Sequence, residues 1–368
     1  MKKRCVIILM SLVLCVNMAG CEKKHTENGL ADSQQESDAE LSMEKLTEEL
    51  EKAILDGKTQ SQCTYKGDAK QLNDRINEEL EDSLEDSYLC RTLLSNVDVQ
   101  WEQQGEKAEA VYTLTYQEGI EPPVVEASNE DEVVRGLIEG WESGREKVTV
   151  ILENQSYEED EFFAMLDGAE INSAKLSCEA DSVYYQAYDP EEDTQIVKMW
   201  LEFSEDENVR KEQQKELEEA IQKYGTEIRN EAADEESQYR AVYRKILNLA
   251  EYDTSIAAIT DLDRLSTQMR VQRSAYGALV DGHTVCTGYA RGYKALCDEL
   301  GLPCQVVAGM RNDVNHAWNR VHMGNQYLYV DCTAGDTGSS EEEACLFTQE
   351  QMEQNGYVLD DTYVIPAI

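Results

Sequence analysis

The feature that most constrains the fold of this chain is the segment from Ser274 to Cys297, which reads SAYGALVDGHTVCTGYARGYKALC. After a turn at Gly282, apolar residues recur at helical spacing, and Gly301 provides the expected helix stop. Cys286 therefore falls at or just before the N-terminus of a helix. Backbone N–H groups and the positive end of the helix dipole favour the thiolate there, which lowers the pKa of a cysteine. The segment thus predicts a nucleophilic thiol.

Two residues further along the chain could serve this thiol as base and as orienting acid. After the helix stop, residues 305–308 have a strand pattern, and a polar turn leads into His316. A second strand, residues 326–330, ends at Asp331. The order helix, strand, strand can bring Cys286, His316 and Asp331 together. In such a triad the imidazole takes the proton of the thiol, and the carboxylate holds the ring in the productive tautomer.

Short segments around these three residues form a recognisable set: Gly282-His-Thr-Val-Cys286-Thr-Gly-Tyr-Ala, Leu300-Gly-Leu-Pro, Val307-Ala-Gly, His316-Ala-Trp-Asn-Arg-Val and Tyr329-Val-Asp331-Cys-Thr. Over about residues 252–338 the chain resembles the bacterial transglutaminase-like core. The resemblance implies a papain-like α+β fold, with Cys286 on a helix and His316 and Asp331 on adjacent strands as catalytic residues. Members of this family are reported to act as protein crosslinkers, amidases, deamidases or peptidases, and some are inactive.

Two aromatic residues are further candidates for the site. Tyr252, together with Asp253, resembles the family's segment before the nucleophile helix, where an aromatic residue can help to bind the oxyanion. The alternative is that Tyr252 caps the core. Trp318 lies two residues from His316 and shares its face of the strand, so it could form a wall of the cleft or pack in the core.

Eleven cysteines occur in the chain, three of them at or before Cys21. If Cys286 is the nucleophile, seven remain, and an odd number cannot all pair within the chain. Without a C-x-x-C spacing, neither a full disulfide framework nor a structural zinc site is indicated. The sequence therefore predicts free, buried cysteines and neither metal nor cofactor. A disulfide between Cys297 and Cys304, which flank a tight turn, is the alternative.

The first residues have the pattern of an export signal. Basic residues at 2–4 precede an apolar run at 6–16, which is too short to span a membrane. Met18-Ala19-Gly20-Cys21 resembles the bacterial lipoprotein signal, which is cut before the cysteine so that its sulfur carries a diacylglyceryl group. The resemblance implies a protein anchored by lipid at Cys21 on the outer face of the bacterial cytoplasmic membrane. The alternative is an ordinary secretory signal.

The formal net charge of the chain is −42. A chain this acidic has no basic patch to replace counterions on phosphates, so we predict no nucleic-acid partner. Anionic lipid headgroups would repel it, and the acyl anchor would therefore have to hold it at the membrane. The acidity also favours cationic partners such as amine-bearing cell-wall peptides, unless it serves only to solvate the surface.

The remaining sequence predicts an α+β protein with several parts. A helix, strand, helix order followed by strands occurs twice, about 83 residues apart, which suggests a tandem pair of modules or a chance recurrence. Two strands are predicted to end the first copy, and three to end the second, at 174–178, 182–188 and 195–203. The first helix of the second copy is expected to close at Gly140. The predicted parts are a signal peptide (1–20), a polar tether (21–42), module 1 (43–123), module 2 (129–204), a charged connecting helix (205–238) and a transglutaminase-like domain (239–368).

Two functions are compatible with this organisation. The first is an extracellular thiol enzyme that acts on amide bonds of proteins or peptides through a thioester on Cys286, as a transglutaminase, amidase or peptidase. The second is a non-catalytic surface lipoprotein that binds a wall or protein partner and keeps a vestigial transglutaminase-like fold. The complete triad favours the enzyme, although a fold alone proves no activity.

Overall fold

The computed structural model describes residues 3–6, 43–191, 193–257, 259 and 266–368. Three large hydrophobic cores divide this part of the chain into module 1, module 2 and a C-terminal domain. Residues 3–6 form the short strand β1 (Lys3–Val6). Cys21 and most of the predicted signal and tether lie outside the described residues. Among the helices that are described, none is long and apolar enough to cross a membrane.

Module 1 is a three-stranded antiparallel sheet with three helices. Its elements are α1 (Met43–Leu55), β2 (Gln60–Lys66), α2 (Ala69–Asp86), α3 (Tyr88–Leu93), β3 (Leu94–Gln104) and β4 (Lys107–Tyr116). The strand order is β2-β4-β3. Alternate residues of β4 are buried, so the helices cover one face of this sheet. Asp68 caps α2 by accepting hydrogen bonds from the N–H groups of Lys70 and Gln71.

Module 2 also combines helices with a sheet, which contains both parallel and antiparallel strand pairs. Its elements are β5 (Val125–Ala127), α4 (Glu130–Glu142), β6 (Lys147–Glu153), α5 (Glu159–Asn172), β7 (Ser182–Ala187) and β8 (Thr194–Glu202). The strand order is β1-β7-β8-β6-β5, in which β1 runs parallel to β7 and β5 parallel to β6. The strand expected at 174–178 is absent, and residues 173–181 form an irregular loop. The backbone groups of Ser177 and Glu179 bond to the C-terminal domain instead of to a neighbouring strand.

The two modules share the topology of one helix and three antiparallel strands, although the sheet of module 2 has two further strands. In each, a helix precedes a strand that pairs antiparallel with the last strand, and the middle strand pairs with that last strand from its other side. The pairs α1 with α4, and β2 with β6, begin and end 87 residues apart, against the expected 83. Gly140 does not end α4, because it packs against Val148 within the helix, and the left-handed glycine is Gly144. Common descent of the modules stays a prediction.

The C-terminal domain surrounds helix α10 with other helices and with a five-stranded antiparallel sheet of order β14-β13-β12-β11-β15. A π-helical turn, Gly277–Asp281, precedes α10. The elements are α6 (Glu207–Glu231), α7 (Glu235–Leu249), β9 (Glu251–Tyr252), α8 (Thr254–Ala257), α9 (Thr267–Gln272), β10 (His283–Thr284), α10 (Cys286–Leu300), β11 (Cys304–Arg311), β12 (Val314–Met323), β13 (Gln326–Val330), α11 (Cys332–Asp336), α12 (Glu341–Ala344), β14 (Cys345–Phe347), α13 (Gln349–Gln354) and β15 (Tyr357–Leu359).

Helix α6 differs from the predicted connecting helix. Its apolar residues Leu217, Ile221 and Ile228 are buried in the same core as α10, so α6 is an integral part of the C-terminal domain. The charged residues that suggested a connector occupy the opposite, solvated face of this amphipathic helix.

Module 2 and the C-terminal domain are in direct contact. The side chain of Asn172, at the end of α5, donates to the carbonyl of Val306 (3.2 Å) and accepts from the N–H of the same residue (2.8 Å). The C-terminal tail crosses back to module 2, where the N–H of Val364 donates to the carbonyl of Ala164 at 3.0 Å. The end of the chain thereby ties β15 to α5.

Candidate active site

Cys286 is the first residue of α10, and its side chain is partly exposed. The residue before it, Val285, is the N-cap and has no side chain that could accept hydrogen bonds from the N–H groups of the first turn. Gly288 allows this turn to lie close to its surroundings. A Cβ atom there would be 2.0 Å from Oγ1 of Thr284 and 2.7 Å from the carbonyl oxygen of Gln272. The backbone thus presents the thiol at a partly exposed helix start.

His316 and Asp331 are brought together by neighbouring strands. His316 lies on β12, and Asp331 directly follows β13, which pairs with β12. Nε2 of His316 is 2.8 Å from Oδ2 of Asp331. Because an ionised carboxylate can only accept, Nε2 carries a proton, and Nδ1 is left for the hydrogen bond between the ring and Cys286. Both side chains are largely shielded from solvent.

The electrostatics favour a thiolate and an imidazolium. Burial works against charge on Cys286, but the hydrogen bond and charge of His316, with a smaller contribution from Arg273, hold the pKa of the thiol below its usual value. Burial would lower the pKa of His316, yet its contacts with Asp331 and Cys286 raise this pKa to about 9. Burial also opposes ionisation of Asp331, but its hydrogen bonds lower its pKa. The shifts of Cys286 and His316 both move this pair toward thiolate and imidazolium.

Tyr357 and Arg311, which the sequence analysis did not single out, also hold Asp331. The hydroxyl of Tyr357 donates to Oδ2 of Asp331 at 2.6 Å, and Nη1 of Arg311 donates to the same atom at 3.4 Å. The guanidinium of Arg311 lies 4.9 Å from the centre of the Tyr357 ring. No local pattern marks either residue, because both reach Asp331 through the pairing of β15 with β11.

The part of the chain that carries this geometry also matches a known family by sequence. Residues 222–332 match the Transglutaminase-like superfamily, a segment that starts within α6 and includes Cys286, His316 and Asp331. The chain carries a C-terminal transglutaminase-like domain. The match covers less than a third of the chain and includes neither module.

Several solved structures are similar to this chain at low sequence identity. One similar structure is described as a TGase, at 13% identity and a TM-score of 0.34, over 81% of this chain and 85% of that one. Another is the periplasmic domain of TgpA from Pseudomonas aeruginosa, at 19% identity and a TM-score of 0.23, over 38% of this chain and 54% of that one. Among curated proteins, no sequence matches this chain significantly.

The two predicted aromatic residues have different positions in the transglutaminase-like domain. Tyr252 stacks on Tyr289, with ring centres 6.5 Å apart, and remains partly exposed. Burial, then the charges of Cys286 and Asp331, raise the pKa of Tyr252, so its hydroxyl keeps its proton. Trp318 is buried and stacks on the ring of His316, with centres 5.9 Å apart. Trp318 therefore packs in the core against the imidazole and does not form an exposed wall of the cleft.

Between residues 63 and 345, the cysteines other than Cys286 have free thiols. Cys297 and Cys304 are thus not joined, and both lie in the core of the transglutaminase-like domain. Burial raises the pKa of Cys63 and of Cys178 to about 12, in contrast to the lowered pKa of Cys286. Within the described ranges, no cluster of three or more His, Cys, Asp or Glu side chains could hold a metal ion.

Proposed function

We propose that this protein is a thiol enzyme that transfers acyl groups from amide bonds of proteins or peptides through a thioester on Cys286. The observation that carries the proposal is the contact of 2.8 Å between His316 and Asp331, next to a thiol at the start of α10. This arrangement supplies an activated nucleophile, a proton carrier and an orienting carboxylate.

The first half of the reaction would form the thioester. The sulfur of Cys286 attacks the amide carbonyl carbon, and the electron pair of the C=O bond moves to the oxygen. The N–H of Cys286, at the uncapped helix start, can donate to this oxyanion, and the hydroxyl of Tyr252 is the second candidate donor. When the oxyanion collapses, the C–N bond breaks, and the imidazolium of His316 gives its proton to the leaving amine.

The second half would release the acyl group. Neutral His316 takes a proton from a water molecule or an amine, which attacks the thioester carbonyl, and the thiolate of Cys286 leaves. Water gives hydrolysis, as in an amidase or peptidase, whereas an amine gives a new amide bond, as in a transglutaminase. The partner that reaches the thioester decides between these outcomes.

The proposed site of action is the outer face of the bacterial cytoplasmic membrane, with the protein anchored by lipid at Cys21. Its substrates would be proteins or peptides, including amine-bearing peptides of the cell wall, which the net charge of −42 would attract. The same charge disfavours nucleic acid as a partner. The support for this location is the sequence Met18-Ala19-Gly20-Cys21 after a short apolar run.

Competitive alkylation tests the proposal without knowledge of the substrate. We expect iodoacetamide at pH 7 to modify Cys286 at least roughly tenfold faster than Cys63, because reactivity follows the thiolate fraction and exposure. Cys63 is a matched internal control, since it is also partly exposed but has a pKa of about 12. Modification at each cysteine is measured by mass spectrometry of peptides.

Two variants make the test specific. His316→Ala should slow the alkylation of Cys286, because the partner of the thiolate is lost. Asp331→Asn should impair turnover more than alkylation, since a misoriented imidazole handicaps acyl transfer while the thiol stays accessible. Equal alkylation of Cys286 and Cys63 in the folded protein would contradict the enzyme and support a non-catalytic binding lipoprotein.

A further inference from the structure

The loop of module 2 between α5 and β7 holds the segment that follows α9 in the transglutaminase-like domain. The hydroxyl of Ser274 donates to the carbonyl of Ser177 at 2.7 Å. The N–H of Glu179 donates to the carbonyl of Arg270 at 3.2 Å. One bond comes from a side chain and the other joins two backbone groups, and both connect units that are far apart in sequence, so the loop fixes the position of residues 270–274.

Four buried charges extend from α5 of module 2 toward the active site. Arg291 contacts Glu170 at 2.9 Å and Glu179 at 3.9 Å, and all three side chains are 5% exposed or less. Glu179 in turn binds Arg273 through two hydrogen bonds, from Nε at 2.6 Å and from Nη2 at 3.3 Å. The charges alternate in sign, and the positive Arg273, 16% exposed, is at the outer end.

The backbone on both sides of Arg273 packs on the first turn of α10. A Cβ atom at Gly288 would be 2.7 Å from the carbonyl oxygen of Gln272 and 2.9 Å from that of Ser274. The carbonyl of Arg273 itself accepts a hydrogen bond from Nη1 of Arg291, which belongs to α10, at 3.2 Å. Arg273 is therefore fixed beside the helix start that carries Cys286.

We propose that Arg273 is a positioning residue for the nucleophile, and that module 2 completes the active site by holding this guanidinium through Glu179. The proposal rests on the proposed function, because it assumes that Cys286 reacts as a thiolate. Two hydrogen bonds from one edge of the guanidinium fix its plane, which a point charge such as lysine cannot reproduce. A role for module 2 follows: it supplies a carboxylate without which the guanidinium has no fixed position.

The charged and titratable groups around the thiol are consistent with this role. His316, on β12, forms a hydrogen bond with the thiol of Cys286, and Tyr252 on β9 and Arg273 in the segment after α9 interact with it electrostatically. Arg273 is among the groups that lower the pKa of Cys286, after His316. On its other side, Glu179 and Glu170 of module 2 raise the pKa of Arg273. Arg273 thus links the carboxylates of module 2 to the thiolate.

The pH profile of Cys286 alkylation in the full chain tests the proposal. The double variant Glu179→Gln/Arg273→Gln removes both charges and leaves neither one buried alone. We expect its midpoint to lie about half to one pH unit higher, so that alkylation below the midpoint slows by roughly three- to tenfold. Arg273→Lys should show only part of this shift, because it keeps the positive charge but loses the two-point geometry of the guanidinium.

Two further variants separate position from general damage. Glu179→Asp keeps every charge but shortens the reach by one methylene, and we expect a smaller shift in the same direction. Arg270→Gln/Asp181→Asn neutralises the neighbouring ion pair of 2.8 Å at the same interface, and we expect no shift. Thermal unfolding by circular dichroism confirms that each variant is folded.

Each outcome decides between the two proposals. If wild-type Cys286 reacts as a thiolate near neutral pH and the Glu179 and Arg273 variants have the same profile, the role of Arg273 is wrong and the enzyme stands. An equal shift in the Arg270→Gln/Asp181→Asn control would also overturn the role of Arg273, since any loosening of the interface would then be enough to shift the midpoint. If wild-type Cys286 titrates as an ordinary thiol and His316→Ala changes nothing, both proposals fail.

Discussion

Tyr357 donates its hydroxyl to the same oxygen of Asp331 that contacts His316, at 2.6 Å and 2.8 Å respectively. Tyr357 begins the edge strand β15, which is held in the sheet by pairing with β11. Arg311, on β11, contacts this oxygen from a third direction. The last strand of the chain is therefore part of the site, because it fixes the carboxylate that orients the imidazole.

Tyr357→Phe should weaken acyl transfer and leave the fold intact. A hydrogen bond to a charged group is worth about 1.5–3 kcal/mol, so we expect acylation to slow by roughly ten- to a hundredfold. The release of p-nitrophenolate from an activated acyl ester measures this step. Tyr327→Phe, at a 46% exposed position on β13, is the control and should not change the rate. Equal rates for Tyr357→Phe and the wild type would show that Asp331 needs no third contact.

His316 should titrate far above an ordinary histidine. Its contacts with Asp331 and Cys286 overcome burial and raise its pKa to about 9. Because the folded state holds this proton more tightly, protonated His316 stabilises the fold. The contribution is complete below about pH 6.5, the pKa of an unfolded histidine, and is lost as the pH rises through about 9. NMR of the imidazole protons should give a midpoint near 9, which Asp331→Asn should lower by at least about one unit. A wild-type midpoint at about 6.5 would contradict the ion pair.

Gly288→Ala should destabilise the start of α10. The added Cβ atom would be 2.0 Å from Oγ1 of Thr284 and would touch the backbone of Gln272, which cannot move freely. We expect a loss of about 1–3 kcal/mol in the free energy of unfolding, measured by denaturant titration, and slower alkylation of Cys286. Thr287→Ala, on the same turn, adds no atoms and is the control. Unchanged stability of Gly288→Ala would mean that the turn is less tightly packed than described.

The anchor can be tested at Cys21. If the lipoprotein signal is read correctly, the wild type should incorporate labelled fatty acid and partition into detergent. Cys21→Ser should lose the label and stay unprocessed or soluble, whereas Cys15→Ser, within the predicted signal, should keep it. Persistent labelling of Cys21→Ser would end the proposal of an anchor at this residue.

Local patterns were sufficient to predict the elements that carry the triad. The glycine turn and helical spacing predicted a helix that starts at or next to Cys286, and α10 begins at that residue. Alternation in a strand put Trp318 on the face of His316, and the two rings do stack. The pattern predicted α6 but not its role, because amphipathicity shows that a helix has an apolar face without showing which core that face enters.

The sequence by itself determined the start of the helix at Cys286 and the strands that lead to His316 and Asp331. These follow from periodicity and turn residues within a few positions of each other. Only the tertiary structure decided that Tyr357 and Arg311 hold Asp331, and that Glu179 of module 2 holds Arg273. Such contacts join side chains that are 20–94 residues apart. They depend on strand register and on the packing of separate units, which no local pattern contains.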